Sequence, residues 1–292
     1  MSLSVRAANG VEIPQLGFGV YKIKGKNGLF EQTIREAIQA GYRHFDTARI
    51  YGNEAELGRV IANSGIPREE FFLTSKVWTT DLGEERTRRA FEQSCKKLKT
   101  TYLDMYLIHF AGPGYVEAWR ALERLYEEGR VKVIGTANFE IEHLEQLRKH
   151  AKIPPMINQV ETHPLFQQQA LREYMSHHRI LHEAWGPLGQ GNVSLLDHEE
   201  LRSIADRHHK TVGQVILRWH LNRNSIVIPK SSNPKRIKEN RKVFDFELSG
   251  EEIDRIAQMD TGRRSSVNPN GIQVNPLYVK LTRLFLNVQN LQ

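Results

Sequence analysis

The sequence predicts an α/β protein of the (β/α)8 TIM-barrel class, with an N-terminal β-hairpin and a C-terminal extension. Three observations carry this expectation. Eight short runs rich in β-branched and aromatic residues alternate with amphipathic helical stretches along a chain of 292 residues, and strands separated by crossover helices pair in parallel. The length suits a barrel of about 250 residues with short additions. The glycine fingerprint of an open doubly wound sheet is missing, because "GFGVYK" lacks the third glycine and "GPLGQGNVS" does not follow a first strand at the required spacing.

Taken in order, residues 1–16 hold the hairpin, with Asn9-Gly10 in "SVRAANGVEIPQLG" as its turn. The first barrel strand is "GFGVYK". In the helical "LFEQTIREAIQAG", Phe30, Ile34, Ala37 and Ile38 share a face and Gly41 supplies a stop. The next strands are "YRHFDT", "FFLTSKVW", "LDMYLIHF", "VKVIGTANF", "INQVE", "RILHEAWG" and "SIVIPKS". A tail, residues 262–292, ends in "NPLYVKLTRLFLNVQNLQ", whose Leu277, Leu281, Leu284, Phe285 and Val288 have helical spacing and predict a helix packed on the barrel. With no Pro/Gly-rich linker, residues 1–292 are expected to form a single domain.

Composition narrows the function. The single cysteine, Cys95, forbids an internal disulfide, and no Cys/His group has zinc-ligand spacing, so no metal is expected. No apolar run approaches the ~18 residues of a membrane span, and a secretory leader is not apparent, which leads to the expectation of a cytoplasmic protein. In the tail, Lys280 and Arg283 make too weak a basic face for an interfacial membrane helix. The 41 basic residues exceed the 34 acids, but most are interleaved with Glu and Asp on helices. The exception is a cluster from Lys230 to Lys242, which lacks the aromatics or groove-reading element of a nucleic-acid site.

A barrel gathers the C-terminal ends of its strands around one mouth. Here those ends carry Asp46, Lys76, His109, Asn138, Gln159, Trp185 and Lys230, with Tyr51 just beyond Asp46. A phenol, with a reference pKa of about 10, is a poor acid near neutrality unless a positive charge stabilises its phenolate. Lys76 is the expected source of that charge, and an ion pair with Asp46 would keep a buried ammonium protonated. His109 is placed to hydrogen-bond a substrate oxygen or the tyrosine. Such a group suits proton donation to a carbonyl oxygen as negative charge develops there. None of these side chains delivers a hydride, so a nicotinamide cofactor is implied.

The blocks "YRHFDTARIYGNE", "TSKVW", "LIHF", "INQVETHPL", "EAWGPLGQG" and "IPKSSNPKRIKEN" occur in the order found in aldo-keto reductases. The chain resembles that family from "GVEIPQLGFGVYK" to about Met259, with "EAWGPLGQG" most similar to the bacterial 2,5-diketo-D-gluconate reductase branch. The resemblance implies that Tyr51 is the general acid, Lys76 and Asp46 tune it and His109 orients the carbonyl. It places Asn138 and Gln159 on the nicotinamide carboxamide and Trp185 against its ring. Lys230, Ser231 and Arg236 would bind the adenosine 2′-phosphate, with Glu239 and Asn240 on the adenine side, which favours NADPH over NADH. Each charged hydrogen bond to that phosphate would contribute roughly 1.5 to 3 kcal/mol.

Tyr21, Trp78 and Phe110 are expected to line the substrate pocket together with Trp185, an aromatic wall suited to small aldehydes, dicarbonyls, keto sugars or keto esters. Three departures stand out, the first being Trp185 where many members of the family have tyrosine. Ala137 replaces the serine of the family's "SNF", and Phe110-Ala111 replaces the Trp-Pro that follows the histidine. Arg49, Arg263 and Arg264 are exposed loop arginines on the simplest reading, or determinants of an acidic substrate. The implied activity is NADPH-dependent carbonyl reduction; the alternative is an NADPH-binding sensor resembling potassium-channel β-subunits. Family habit implies a monomer, with a dimer contact through the tail as the alternative.

Overall fold

The computed structural model describes residues 4–23, 28–191, 195–266 and 268–269. The chain opens with an antiparallel pair, β1 (Ser4–Arg6) and β2 (Glu12–Pro14). Gly10 takes φ 88° in the turn between them, a conformation that costs glycine little. The pair lies at the start of the barrel strands: Asn9 Nδ2 donates to Lys132 O at 2.8 Å, and His44 Nδ1 lies 3.3 Å from Pro14 O.

Eight parallel strands follow: β3 (Phe18–Gly19), β4 (His44–Asp46), β5 (Phe72–Val77), β6 (Leu103–Ile108), β7 (Val131–Ala137), β8 (Ile157–Glu161), β9 (Leu181–Trp185) and β10 (Ile226–Val227). Each pairs with its sequence neighbour. The connections carry α1 (Leu29–Gln39), α2 (Glu54–Ala62), α3 (Glu84–Leu98), α4 (Tyr115–Glu127), α5 (Ile141–Arg148), α6 (Gln169–His177), α7 (Glu199–His208) and α8 (Val212–Asn222). After β10 come α9 (Pro234–Arg241) and α10 (Gly250–Ala257). This is the (β/α)8 barrel that the alternation of strands and helices predicts.

The seam between β3 and β10 is closed by Gly17 N to Val227 O and Val227 N to Gln15 O, both 2.8 Å, and by Gly19 N to Pro229 O at 3.1 Å. A Cβ on Gly19 would lie 2.9 Å from Ile228 O, so a side chain there would push the seam apart. Both seam strands are shorter than the apolar runs suggest. Pro229 ends the second one, because its ring nitrogen has no proton for the ladder.

The helices pack apolar stripes on the outside of the barrel. In α1 the buried residues are Phe30, Thr33, Ile34, Ala37 and Ile38, and Gly41 at φ 93° turns the chain away. Capping is explicit at α8, where Thr211 and Gln214 form a reciprocal box, and at α10, where Ser249 and Glu252 do the same. These arrangements leave the C-terminal ends of the strands as a single polar rim. The helix expected over "NPLYVKLTRLFLNVQNLQ" lies outside the described residues.

Candidate active site

Strand β4 ends in Asp46 and β5 carries Lys76 facing the same interior, 2 % and 0 % exposed respectively. The Lys76 ammonium donates to both Asp46 carboxylate oxygens, at 2.6 and 2.7 Å, and to Thr47 O at 3.0 Å. All three of its protons are thereby used, which is what a fully buried ammonium requires. Gln159, the middle residue of β8 and not its end, donates its side-chain amide to Asp46 Oδ2 at 2.9 Å.

Beyond β4 the chain makes a single 3-10 turn, Arg49–Tyr51, closed by Tyr51 N to Ala48 O and ended by Gly52 at φ 72°. This turn brings the Tyr51 ring to 5.3 Å from Lys76 Nζ, 5.8 Å from the His109 ring and 4.8 Å from the Tyr21 ring. Thus Asp46, Tyr51, Lys76 and His109 meet at one mouth. Burial pushes the Tyr51 phenol well above its ordinary range, and Asp46, Tyr21 and Glu183 push it the same way. Burial is the largest cause of this direction, so solvent exclusion and not the neighbouring Lys76 charge sets the phenol's resting protonation. Burial, reinforced by Lys76, drives His109 well below the usual histidine range, so its imidazole is neutral.

The wall around the mouth is aromatic. Phe110 stacks on His109 at 5.0 Å with an interplanar angle of 14°, and the Trp78 ring stands edge-on to both at 5.0 and 5.6 Å. Ile50 packs on Trp78 and Phe110. Tyr21 is 45 % exposed, with its ring packed against that of Tyr51.

On the opposite arc, Asn138 follows β7 in the left-handed region at φ 60°, and both ends of its amide are occupied. Its Nδ2 donates to His109 O at 3.0 Å, and its Oδ1 accepts from Trp185 Nε1 at 2.8 Å. Ala137, just before it, is fully buried and in register with Gln159. Further round, Lys230 and Ser231 follow β10 and Arg236 lies in the first turn of α9. Burial and the nearby Lys22 both lower Lys230, the signature of an amine short of negative charge. Among the described residues, neither Lys230 nor Arg236 forms an ion pair. Asn233 caps α9 by accepting from Lys235 N and Arg236 N. The Glu239 carboxylate lies 3.8 Å from Lys235 Nζ, and Asn240 is buried on the inner side of α9. Two unneutralised cations beside a positive helix end have the chemistry to hold a phosphate dianion.

Three features were not anticipated from the strand ends. Glu183 of β9 is fully buried between Gln159 and Ile226 in register, 4.0 Å from His44 Nε2, with neither carboxylate oxygen hydrogen-bonded among the described residues. Its burial beside Asp46 raises its proton affinity, only partly offset by Lys76. Glu161 Oε1 accepts from Ser265 N at 2.5 Å, Ser265 Oγ at 2.6 Å and His163 Nε2 at 3.2 Å, strapping the start of the tail to the rim. Arg264 takes part in that strap, pairing with Glu140 at 2.8 Å and lying over the Phe166 ring at 4.4 Å. Arg49 is not an exposed loop arginine: it is 4 % exposed and pairs with Asp81, Nε to Oδ2, at 2.7 Å.

Comparison with known proteins agrees with this geometry. The aldo/keto reductase family model matches residues 15–261. The glyoxal reductase of Bacillus subtilis (strain 168) is 49% identical over 268 residues, 91% of this chain and 96% of that protein. The crystal structure of an aldo/keto reductase from Brucella melitensis has 49% identity, covers 89% of this chain and 100% of its own, and superposes with a TM-score of 0.85. The structure of a Gox0644 mutant in complex with NADPH has 42% identity, covers 92% and 98% of the two chains, and gives a TM-score of 0.87. By sequence and by structure, this chain belongs to the aldo/keto reductase family.

Proposed function

We propose that the protein reduces small carbonyl compounds to alcohols with NADPH, and that dicarbonyls of the glyoxal type are its preferred substrates. The observation that carries this reading is the convergence of Tyr51, the Asp46–Lys76 pair and neutral His109 within one aromatic mouth. The similarity to a protein named glyoxal reductase supports the substrate class. Relatives named as reductases lend nothing to a channel-subunit reading.

Bound NADPH would supply the hydride; Asn138, Gln159 and Trp185 would hold its nicotinamide end, and Lys230, Ser231 and Arg236 its 2′-phosphate, with Glu239 and Asn240 towards the adenine. The proton is the task of Tyr51. A phenol held in its protonated form by burial is a loaded donor, and the proton leaves Oη once the substrate oxygen becomes the stronger base. The phenolate left behind lies near the Lys76 charge, which Asp46 holds in place. His109, uncharged, offers a hydrogen bond to the substrate oxygen without adding a second cation. The aromatic wall of Trp78, Phe110 and Tyr21 excludes water and accepts flat, small substrates.

The test is NADPH oxidation by the purified protein with glyoxal, methylglyoxal, phenylglyoxal, 2,5-diketogluconate and a β-keto ester, run beside NADH. Turnover on dicarbonyls with NADPH preferred is expected. No turnover on any of the panel, with NADPH bound tightly, would overturn the reading.

A further inference from the structure

We propose that Arg49 is a positioning residue: its ion pair with Asp81 clamps the turn that carries Tyr51 to the loop that carries Trp78. The inference rests on the reductase reading above. It starts from three consecutive residues, each with a different task. Arg49 reaches the loop after β5, Ile50 packs on Trp78 and Phe110, and Tyr51 enters the mouth.

The turn is held from two sides. On one, Asn53 accepts from Thr47 Oγ1 at 2.7 Å and donates to Val20 O at 3.0 Å, tying the turn to the end of β3. On the other, Arg49 Nε meets Asp81 Oδ2 at 2.7 Å. Asp81 is itself fixed: its N–H donates to Trp78 O at 2.9 Å, and its own carbonyl accepts from Thr87 Oγ1 of α3 at 3.0 Å. The loop after β6 joins the same assembly, since a Cβ on Gly112 would sit 3.2 Å from Leu82 and 3.3 Å from Thr79.

Burial makes the clamp stiff. The Arg49 side chain is 5% exposed and that of Asp81 22%, so water competes weakly for either charge. The guanidinium is within electrostatic reach of Lys97 of α3 and Tyr106 of β6, two groups outside the aromatic mouth. A side chain there sets where Tyr51 stands relative to the aromatic wall without touching substrate.

The experiment compares Arg49→Ala, Arg49→Met, Arg49→Lys, Asp81→Ala and the Arg49→Ala/Asp81→Ala double variant. Single-turnover rate, kcat, KM, NADPH affinity by tryptophan quenching and Tm are measured for each. A misplaced acid predicts a loss of about 10- to 100-fold in kcat for Arg49→Ala, with NADPH affinity kept within about twofold. Arg49→Lys should recover part of kcat, and the double variant should be no slower than Arg49→Ala alone. Where Arg49→Ala does not fold, Arg49→Met keeps the packing and reads the same quantity. A fall in Tm with kcat unchanged in the folded variants would overturn the clamp, as would losses from Arg49 and Asp81 that multiply. Inactive wild-type protein would instead count against the reductase reading.

Discussion

The ammonium of Lys76 and the carboxylate of Asp46 are joined twice over, at 2.6 and 2.7 Å, with both side chains sealed inside the barrel. Removing one partner strands the other charge in a medium that cannot solvate it. Asp46→Ala should therefore destabilise the protein by about 3 to 5 kcal/mol, read by urea unfolding, as well as abolish turnover. Stability within about 1 kcal/mol of wild type would mean the pair is solvated in solution.

Tyr51→Phe removes one oxygen and leaves the ring against Tyr21 and His109. Loss of a general acid typically costs about 10²- to 10⁴-fold, so turnover should fall by that much while NADPH still quenches tryptophan fluorescence. Turnover kept near the wild-type level would take the proton from another donor.

Glu183 gives the protein a pH signature. Its pKa is pushed up to about 8 by burial and by Asp46, against an ordinary carboxyl value of about 4.3 in the unfolded chain. Between those values the folded protein holds a proton that the unfolded chain has lost, so stability falls as pH rises. The slope is at most about 1.4 kcal/mol per pH unit and vanishes above the folded value. Glu183→Gln has no such term. Its Tm should gain on that of wild type from about pH 5 to pH 8 and hold the lead beyond. Parallel Tm curves would show that Glu183 titrates normally.

Arg236→Ala, and separately Lys230→Ala, should weaken NADPH binding by about 10- to 100-fold each and leave NADH almost unaffected, because a charged hydrogen bond to the 2′-phosphate is worth roughly 1.5 to 3 kcal/mol. Titration of both cofactors checks this. Equal losses for the two cofactors would place these cations elsewhere on the dinucleotide.

Much of the barrel was legible because its signals are local. Each strand is a short apolar run that stops at a polar residue, as "YRHFDT" stops at Asp46, and α1 declares its buried face by spacing alone. Glu183 was within reach as well: in β9 it shares inward parity with Trp185, and an acid there stands out once residues are counted in twos. The Arg49–Asp81 pair was beyond reach, since it joins loops 32 residues apart and nothing in either segment names the other. The Tyr51 phenol shows a different gap. Its charged neighbours were readable, but the direction of its shift depends first on how much solvent the fold strips away.

The seam between Gly17 and Val227 has a consequence for synthesis on the ribosome. Its hydrogen bonds join residues 227 − 17 = 210 apart in the chain, and contacts so distant pay their loop-closure entropy late. Asp46, Tyr51, Lys76 and His109 are all translated by residue 109, yet the ring they stand on cannot shut until the last strand emerges. A nascent chain halted between those points carries Asp46, Tyr51, Lys76 and His109 and an open sheet edge, the state most exposed to intermolecular pairing. Weakening Gly19 should show first as lost yield of soluble protein during expression, before any change in the finished enzyme.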